Sequence, residues 1–366
     1  MKPGVNVYGY VFAESGTGEH TRLLVSSIRE AGIDYSVIPF TTTMSRQQVA
    51  FDDFGSGKPE FDINIIGVNA DQVSVFVETV GETQLAGRYN VGLWAWEIEE
   101  FPDWMARQAV YLDEIWANSS FSAKAIARKV DVPVQPFPLP IRTPLPRPRT
   151  RYDFGLPESF LFLFCFDLDS VFERKNPLAV VDAFTEAFDE MTGPHLLMKS
   201  INGDRHPDRV RLLENVVADR RDITYRDGYE MAEDQDALMQ ACDAYVSLHR
   251  AEGFGLTMAE AMALGKPVIA TGYSGNLDFM NAGNSFLVPF EDVLIGGECD
   301  PYPHAAKWAE PDVDAAAAMM REVIESPEIV AGKRARACQE IREFHSPAAR
   351  AAFVTERLSK VWARAD

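Results

Sequence analysis

The chain reads as an α/β protein of two domains, each built on a parallel sheet with helices on both faces. Short apolar runs rich in β-formers, at residues 5–12, 35–38, 63–67, 91–94, 114–116 and 134–137, alternate with stretches of helical periodicity. The same alternation resumes at residues 160–166, 195–199, 223–226 and 245–249. With 366 residues there is length for two ordinary domains, each with its own core. Between the two series lie Pro133, Pro136, Pro138, Pro140, Pro144, Pro146 and Pro148. Proline lacks a backbone N–H and fixes φ, so this segment is neither helix interior nor central strand and reads as the interdomain linker. The expected division is 1–145 and 146–346, followed by a closing helix within 347–366.

In the first domain, residues 5–12 form the opening strand. Residues 19–31 form a helix with Leu23, Leu24 and Ile28 inward, and Gly32 stops it. The intervening Glu14-Ser15-Gly16-Thr17-Gly18 has two glycines, which either aim amides at a phosphate or allow a close turn for packing alone. Trp94-Ala95-Trp96-Glu97 follows a strand, at the carboxyl end where ligands of open parallel sheets bind. Exposed tryptophan beside Glu97 would suit a sugar; buried, the same rings would be core. Asn118-Ser119-Ser120 has the composition of a helix N-terminus.

The second domain opens with the apolar strand at 160–166, followed by Asp167-Leu168-Asp169 and then Arg174-Lys175-Asn176-Pro177. Two chemistries compete in this loop. Asp167 and Asp169 could hold a divalent cation against a diphosphate. Arg174 and Lys175 could neutralise the diphosphate directly, one as a fork and the other as a point charge. The second reading agrees better with the anion site described next. Helices at 177–188, 207–217 and 234–241 and a strand at 223–226, ending in Asp227-Gly228-Tyr229, lead into the most informative stretch.

That stretch is residues 245–290. Glu252-Gly253-Phe254-Gly255-Leu256 joins a strand to a helix expected from Thr257, whose apolar face is Met258, Ala259, Met262 and Ala263. A glycine-rich turn into a helix N-terminus presents unsatisfied amides to an anion. Glu252 on the loop and Glu260, expected in the first turn, could accept hydrogen bonds from hydroxyls. A diphosphate with paired hydroxyls describes a nucleotide sugar. Thr257 and Glu260 also have capping-box spacing, which would make Glu260 structural. Ser274-Gly275-Asn276 is a turn that either offers amides to a ligand or caps a helix, and residues 291–310 read as an irregular surface loop. Helices at 313–325, 328–344 and 347–362 complete the chain.

Composition narrows the class further. Hydrophobic content of 46% with 25% charged residues is that of a soluble globular protein. A formal charge of −20 argues against a general nucleic-acid binder and against tight, purely electrostatic docking on an anionic membrane. The basic clusters Arg142, Arg147, Arg149, Arg151 and Lys124, Arg128, Lys129 read as solvated surface. Cys165, Cys242, Cys299 and Cys338 lack metal-ligand spacing and are expected as free thiols in a reducing cytosol. The opening residues lack a signal peptide's pattern and no apolar run is long enough to span a bilayer, so the expectation is a cytoplasmic protein with at most peripheral membrane contact.

The string from Glu252 to Glu260 resembles the E-x7-E motif of retaining glycosyltransferases of the GT-B fold, family 4, and Phe166-Asp-Leu-Asp-Ser-Val-Phe-Glu-Arg-Lys-Asn-Pro177 is similar to a form found in a subset of them. The resemblance covers almost the whole chain. It implies two Rossmann-like domains facing across a donor/acceptor cleft and a sugar transferred from a nucleotide-diphosphate donor, without cofactor or metal. The acceptor would be a glycan, a lipid-linked glycan or a small molecule, in a setting such as polysaccharide biosynthesis. Glu260 would hold the ribose hydroxyls and Glu252 would lie beside the donor sugar. The amides of Gly253, Phe254, Gly255, Leu256 and Thr257 would hold the phosphates, and Lys175 and Arg174 would take the diphosphate's charge. Gly16 and Gly18, with Glu19 and Arg22 near them, would face the diphosphate. Tyr229 would lie near the base, and Trp94 and Glu97 on the acceptor side. One departure is that the family's two basic residues are commonly several positions apart, whereas Arg174 and Lys175 are adjacent. Two rival readings are a metal-dependent transferase using Asp167 and Asp169, and a subunit of a glycan-assembly complex that binds nucleotide sugar without turning it over.

Overall fold

Fully apolar strands bounded by turns pair in parallel when helices cover both faces, and the chain does this twice. The computed structural model describes residues 3–142, 149–190, 193–230, 232–297 and 299–363. The expected junction at 145/146 lies outside them, with Pro144, Pro146, Arg147 and Pro148. Two compact units are formed, Met1–Arg142 with Arg342–Asp366, and Thr143–Ile341.

The first unit holds β1 (Val5–Gly9), β2 (Tyr35–Pro39), β3 (Ile63–Gly67), β4 (Tyr89–Trp94), β5 (Glu114–Ala117) and β6 (Val134–Pro136). Their order is β2-β1-β3-β4-β5-β6, every pair parallel. Pro136 is tolerated because β6 is an edge strand. At the amino ends of three strands a ladder of buried amides replaces apolar packing: Asn6 Nδ2 donates to Asn64 Oδ1 at 2.9 Å, and Asn64 Nδ2 to Asn90 Oδ1 at 2.8 Å. Between the strands run α1 (Gly16–Glu30), α2 (Val73–Val80), α3 (Asp103–Ala106) and α4 (Ser120–Ala127). Ser119 caps α4 as its sequence suggested, accepting from Ser122 N at 3.1 Å. The first helix starts three residues before the expected Glu19, because the Ser15 hydroxyl accepts from Gly18 N and caps the turn there.

The second unit holds β7 (Leu161–Asp167), β8 (His195–Ile201), β9 (Ile223–Asp227), β10 (Ala244–Ser247), β11 (Val268–Thr271) and β12 (Phe286–Val288), in the order β12-β11-β10-β7-β8-β9, again all parallel. Its helices are α5 (Phe172–Lys175), α6 (Pro177–Ala187), α7 (Pro207–Val217), α8 (Ala232–Ala241), α9 (Leu256–Ala263) and α10 (Val313–Glu325). Phe162, Phe164 and Phe166 of β7 pack in one cluster with Val180 and Phe184 of α6 and Met320 of α10; burying each such ring contributes about 1.5–3 kcal/mol. The strand order reverses between β7 and β10, which makes their carboxyl ends the topological switch point of this sheet.

Residues 291–310, expected as irregular, are instead flanked by strands. β13 (Phe290–Leu294) and β14 (Lys307–Pro311) form an antiparallel hairpin, Phe290 opposite Pro311 and Leu294 opposite Lys307. Four of the five β13 residues are exposed, so no apolar alternation marks the strand, and the glycines and prolines that suggested a loop belong to the hairpin's connection. The chain then runs through α11 (Pro327–His345) to α12 (Pro347–Trp362), which returns to the first unit. Val354, Leu358 and Val361 join the cluster of Leu24 and Ile28. Arg357 Nη2 reaches the buried Glu114 Oε1 at 2.6 Å, and Trp116 Nε1 donates to the same oxygen at 2.9 Å.

Candidate active site

The switch point sets two loops side by side. After β7 the chain makes the single turn α5, ends it with Asn176 in the left-handed region (φ 52°), and starts α6 at Pro177. After β10 it runs through His249, Arg250, Ala251 and Glu252 to Gly255 and α9. The loops meet in a charge cluster. Lys175 Nζ lies 2.5 Å from Glu252 Oε1, and Arg174 Nη1 lies 3.5 Å from Glu252 Oε2 while donating to Ala251 O at 2.9 Å. These side chains are 17%, 13% and 6% exposed for Lys175, Glu252 and Arg174 respectively.

Burial alone would raise the Glu252 carboxyl, but the charges of Lys175 and then Arg174 outweigh it and hold the group at about 2. Behind it, the fully buried His249 is pushed by burial down to about 4, so it is neutral near pH 7. Its Nδ1 faces Ser247 Oγ at 3.1 Å and its Nε2 faces Asn276 Oδ1 at 3.3 Å. A depressed folded-state value has a defined consequence for stability. The Glu252 carboxylate stabilises the fold fully above its ordinary value of 4.5, and this contribution, on the order of 3 kcal/mol, is lost as pH falls from there through about 2. Unfolding free energy measured from pH 6 to pH 2 is expected to fall more steeply in the wild type than in Glu252→Gln; parallel curves would contradict this origin of the pH dependence.

The amide side of the site comes from α9. Gly255 is its N-cap at φ 93°, a conformation suited to glycine, and the helix begins at Leu256, one residue before the expected Thr257. Glu260 is therefore in the second turn, half-buried, and Thr257 cannot be a cap; its hydroxyl instead pairs with Tyr245 OH at 2.8 Å. Glycine at the cap brings no side chain of its own to the opening amides, and Met258 N and Ala259 N turn back to Gly255 O, so Leu256 and Thr257 carry the amides that would suit an anion. The loop is braced by Ser274-Gly275-Asn276. Ser274 Oγ accepts from Glu252 N at 2.8 Å, and Gly275 N donates to Glu252 O at 2.9 Å. A Cβ on Gly275 would stand 2.0 Å from Gly253 O, so only glycine fits beneath the loop.

Other expected residues are placed differently. Gly16 and Gly18 lie in the first turn of α1, not in a loop before it. A Cβ on Gly18 would meet Ala13 O at 2.5 Å, so packing alone requires that glycine, whereas Gly16 borders open space. Glu19 pairs with Arg22 at 2.7 Å, and Arg22 Nη1 donates to Val11 O and Ala13 O, which folds the preceding loop. Of the two readings of Trp94 and Trp96, the structure takes the buried one: they are 0% and 2% exposed. Both pack on Phe101, with ring centroids at 5.8 and 5.4 Å, because residues 95–102 fold back over the strand end. Glu97 is half-buried in that segment. Tyr229 OH donates to Asn202 Oδ1 at 2.6 Å, and Asn202 Nδ2 donates to Asp167 Oδ1 at 2.6 Å, which ties the ends of β7, β8 and β9 together.

That tie bears on the metal reading. Asp167 also accepts from Asp169 N at 2.9 Å, while the Asp169 carboxylate pairs with Arg205 and with His206 Nε2 at 2.9 Å. The charge that the metal reading assigns to Asp169 is thus engaged by the Arg205 guanidinium. Residues that sequence reasoning missed are His249 and Arg250, whose only signal is adjacency to Glu252, and Lys199. Lys199 is 3% exposed, has its basicity lowered by burial, and donates to Ser200 O and Gly228 O.

With this geometry in view, residues 227–294 match the family described as Glycosyl transferases group 1. No curated protein matches the chain in sequence. Among solved structures, it is similar to the Anabaena protein Alr3699/HepE in complex with UDP and glucose, at 16% identity and a TM-score of 0.69, over 98% of this chain and 100% of that one. It is also similar to sucrose-phosphate synthase from Thermosynechococcus elongatus, at 13% identity and a TM-score of 0.72, over 99% and 100%. A glycosyltransferase from Rickettsia africae gives 14% identity and a TM-score of 0.70, over 99% of each chain. The fold is that of the GT-B glycosyltransferases, two Rossmann-like parallel-sheet domains.

Proposed function

We propose that the protein is a retaining glycosyltransferase of the family 4 kind. It moves a sugar from a nucleoside-diphosphate sugar to a hydroxyl of a glycan, a lipid-linked glycan or a small molecule, without a metal ion. The observation that carries this reading is the cluster of Lys175, Arg174 and Glu252 at the switch point, beside the glycine-capped start of α9. As the glycosidic bond breaks, negative charge grows on the departing diphosphate, and two cations with opening amides stabilise that charge more in the transition state than in the ground state. Glu252 shares Lys175 with the incoming phosphate and orients the donor sugar, while Glu260 accepts from the ribose hydroxyls. The acceptor proton passes to the departing phosphate on the face where the new bond forms. Metal independence is supported by the engagement of Asp169 with Arg205 and His206.

The complex of HepE with UDP makes uridine the first base to test. Thermal unfolding with UDP, GDP and ADP in excess chelator, then with magnesium or manganese, separates the readings. At a hundred times its dissociation constant UDP is expected to add about 2.7 kcal/mol to the folded state in chelator. Stabilisation only with metal would return Asp167 and Asp169 to consideration, and no response to any nucleotide would overturn the donor site. NMR of the transferred product is expected to show the donor's anomeric configuration; inversion would overturn the retaining assignment.

A further inference from the structure

We propose that Arg250 is a positioning residue for the Lys175–Glu252 pair, and that the β13–β14 hairpin holds it in place through Glu310. The inference rests on reading that pair as part of the donor site. Three segments meet on this one side chain and its backbone. Arg250 N donates to Arg174 O at 2.8 Å, and Arg250 Nη1 donates to Glu173 O at 2.7 Å, so the turn that carries the basic pair is tied to the residue two before Glu252. On the other side Nε and Nη2 form a fork on Glu310, at 2.6 and 2.9 Å, and Ala309 N donates to Arg250 O at 3.0 Å. The guanidinium also lies over the Trp308 ring, 5.6 Å from its centroid.

The tie matters because α5 cannot hold itself. It is one turn of four residues, ended by a left-handed Asn176, and a single turn has no helical cooperativity to fix its last side chain. Its geometry is set from outside, by Arg250 and by Arg209, which pairs with Glu173 at 2.5 Å and lies over Phe172. All three guanidinium nitrogens of Arg250 are already engaged by protein acceptors, so it acts through Lys175 and Glu252 rather than on the ligand. Lysine keeps the charge but is a point donor, and cannot bridge Glu310 and the Glu173 carbonyl as the planar fork does.

The test combines kinetics with a readout that does not depend on turnover. In Arg250→Lys, kcat is expected to fall about ten- to a hundredfold with the donor KM within about threefold, since a displacement near 1 Å can cost that much. Glu310→Gln is expected to give a smaller loss, and the double variant no more than Arg250→Lys alone, because the two residues act through one another. In parallel, the Glu252 carboxyl, which faces Lys175, Arg174 and His249, is followed by carbon-13 NMR in glutamate-labelled protein and assigned with Glu252→Gln. In the wild type it is expected to stay ionised at pH 3.5, and in Arg250→Lys to titrate about one unit higher as the pair loosens. A Glu252 titration unmoved by Arg250→Lys overturns the proposal, as does a double variant whose loss is the product of the two single losses. A wild type that turns over no donor, with Glu252 still shifted in Arg250→Lys, sinks the glycosyltransferase reading and leaves the positioning role standing. Should Arg250→Lys fail to fold, the same titration in Glu310→Gln decides.

Discussion

Replacing Lys175 with alanine is expected to lower turnover about a hundred- to a thousandfold, equivalent to about 2.7–4 kcal/mol of transition-state stabilisation. The ammonium faces Glu252 at 2.5 Å on the loop that leads into the opening amides of α9, where a departing diphosphate would gain charge. The fold is expected to survive, because Arg174 remains 3.5 Å from the same carboxylate and keeps it paired. Initial rates at saturating donor, with far-ultraviolet circular dichroism as the control, make the comparison. Turnover near that of the wild type in a folded variant would remove Lys175 from the mechanism.

Glu252→Gln acts in the opposite sense on stability. The carboxylate is the group that Lys175 and Arg174 share in a nearly dry site, and removing one partner of a buried ion pair costs about 3–5 kcal/mol by leaving charge uncompensated. A bound diphosphate would return negative charge to the two cations. The variant is therefore expected to unfold earlier in urea than the wild type, yet to gain more from saturating UDP. An unchanged urea midpoint would contradict the buried cluster, and a smaller gain from UDP would contradict its role in holding phosphate.

Much of this site was legible in the chain itself. The glycines and acids of Glu252 to Glu260 and the pair Arg174-Lys175 stand in short strings whose local geometry is dictated by residues a few positions away. The sequence left a choice open, or pointed elsewhere, where burial or distant pairing decides. Trp94 has the same local sequence whether it is a platform or core, and it is buried because residues 95–102 close over it. The start of α9 moved because glycine rather than threonine supplies the cap. The β13–β14 hairpin was invisible because its first strand is largely solvent-facing and so lacks an apolar alternation.

What the sequence determined by itself was the alternation of strands and helices, the division into two α/β domains, and which residues carry charge and bare amides at loop ends. These follow from periodicity, glycine and proline, whose effects act over one or two turns of chain. Only the tertiary structure decided that Lys175 and Glu252, 77 residues apart, share one charge cluster, and that Arg250 and Glu310, 60 apart, brace it. The reason is strand order: β7 and β10 are neighbours, so two loops with no local signal for one another emerge at the same switch point.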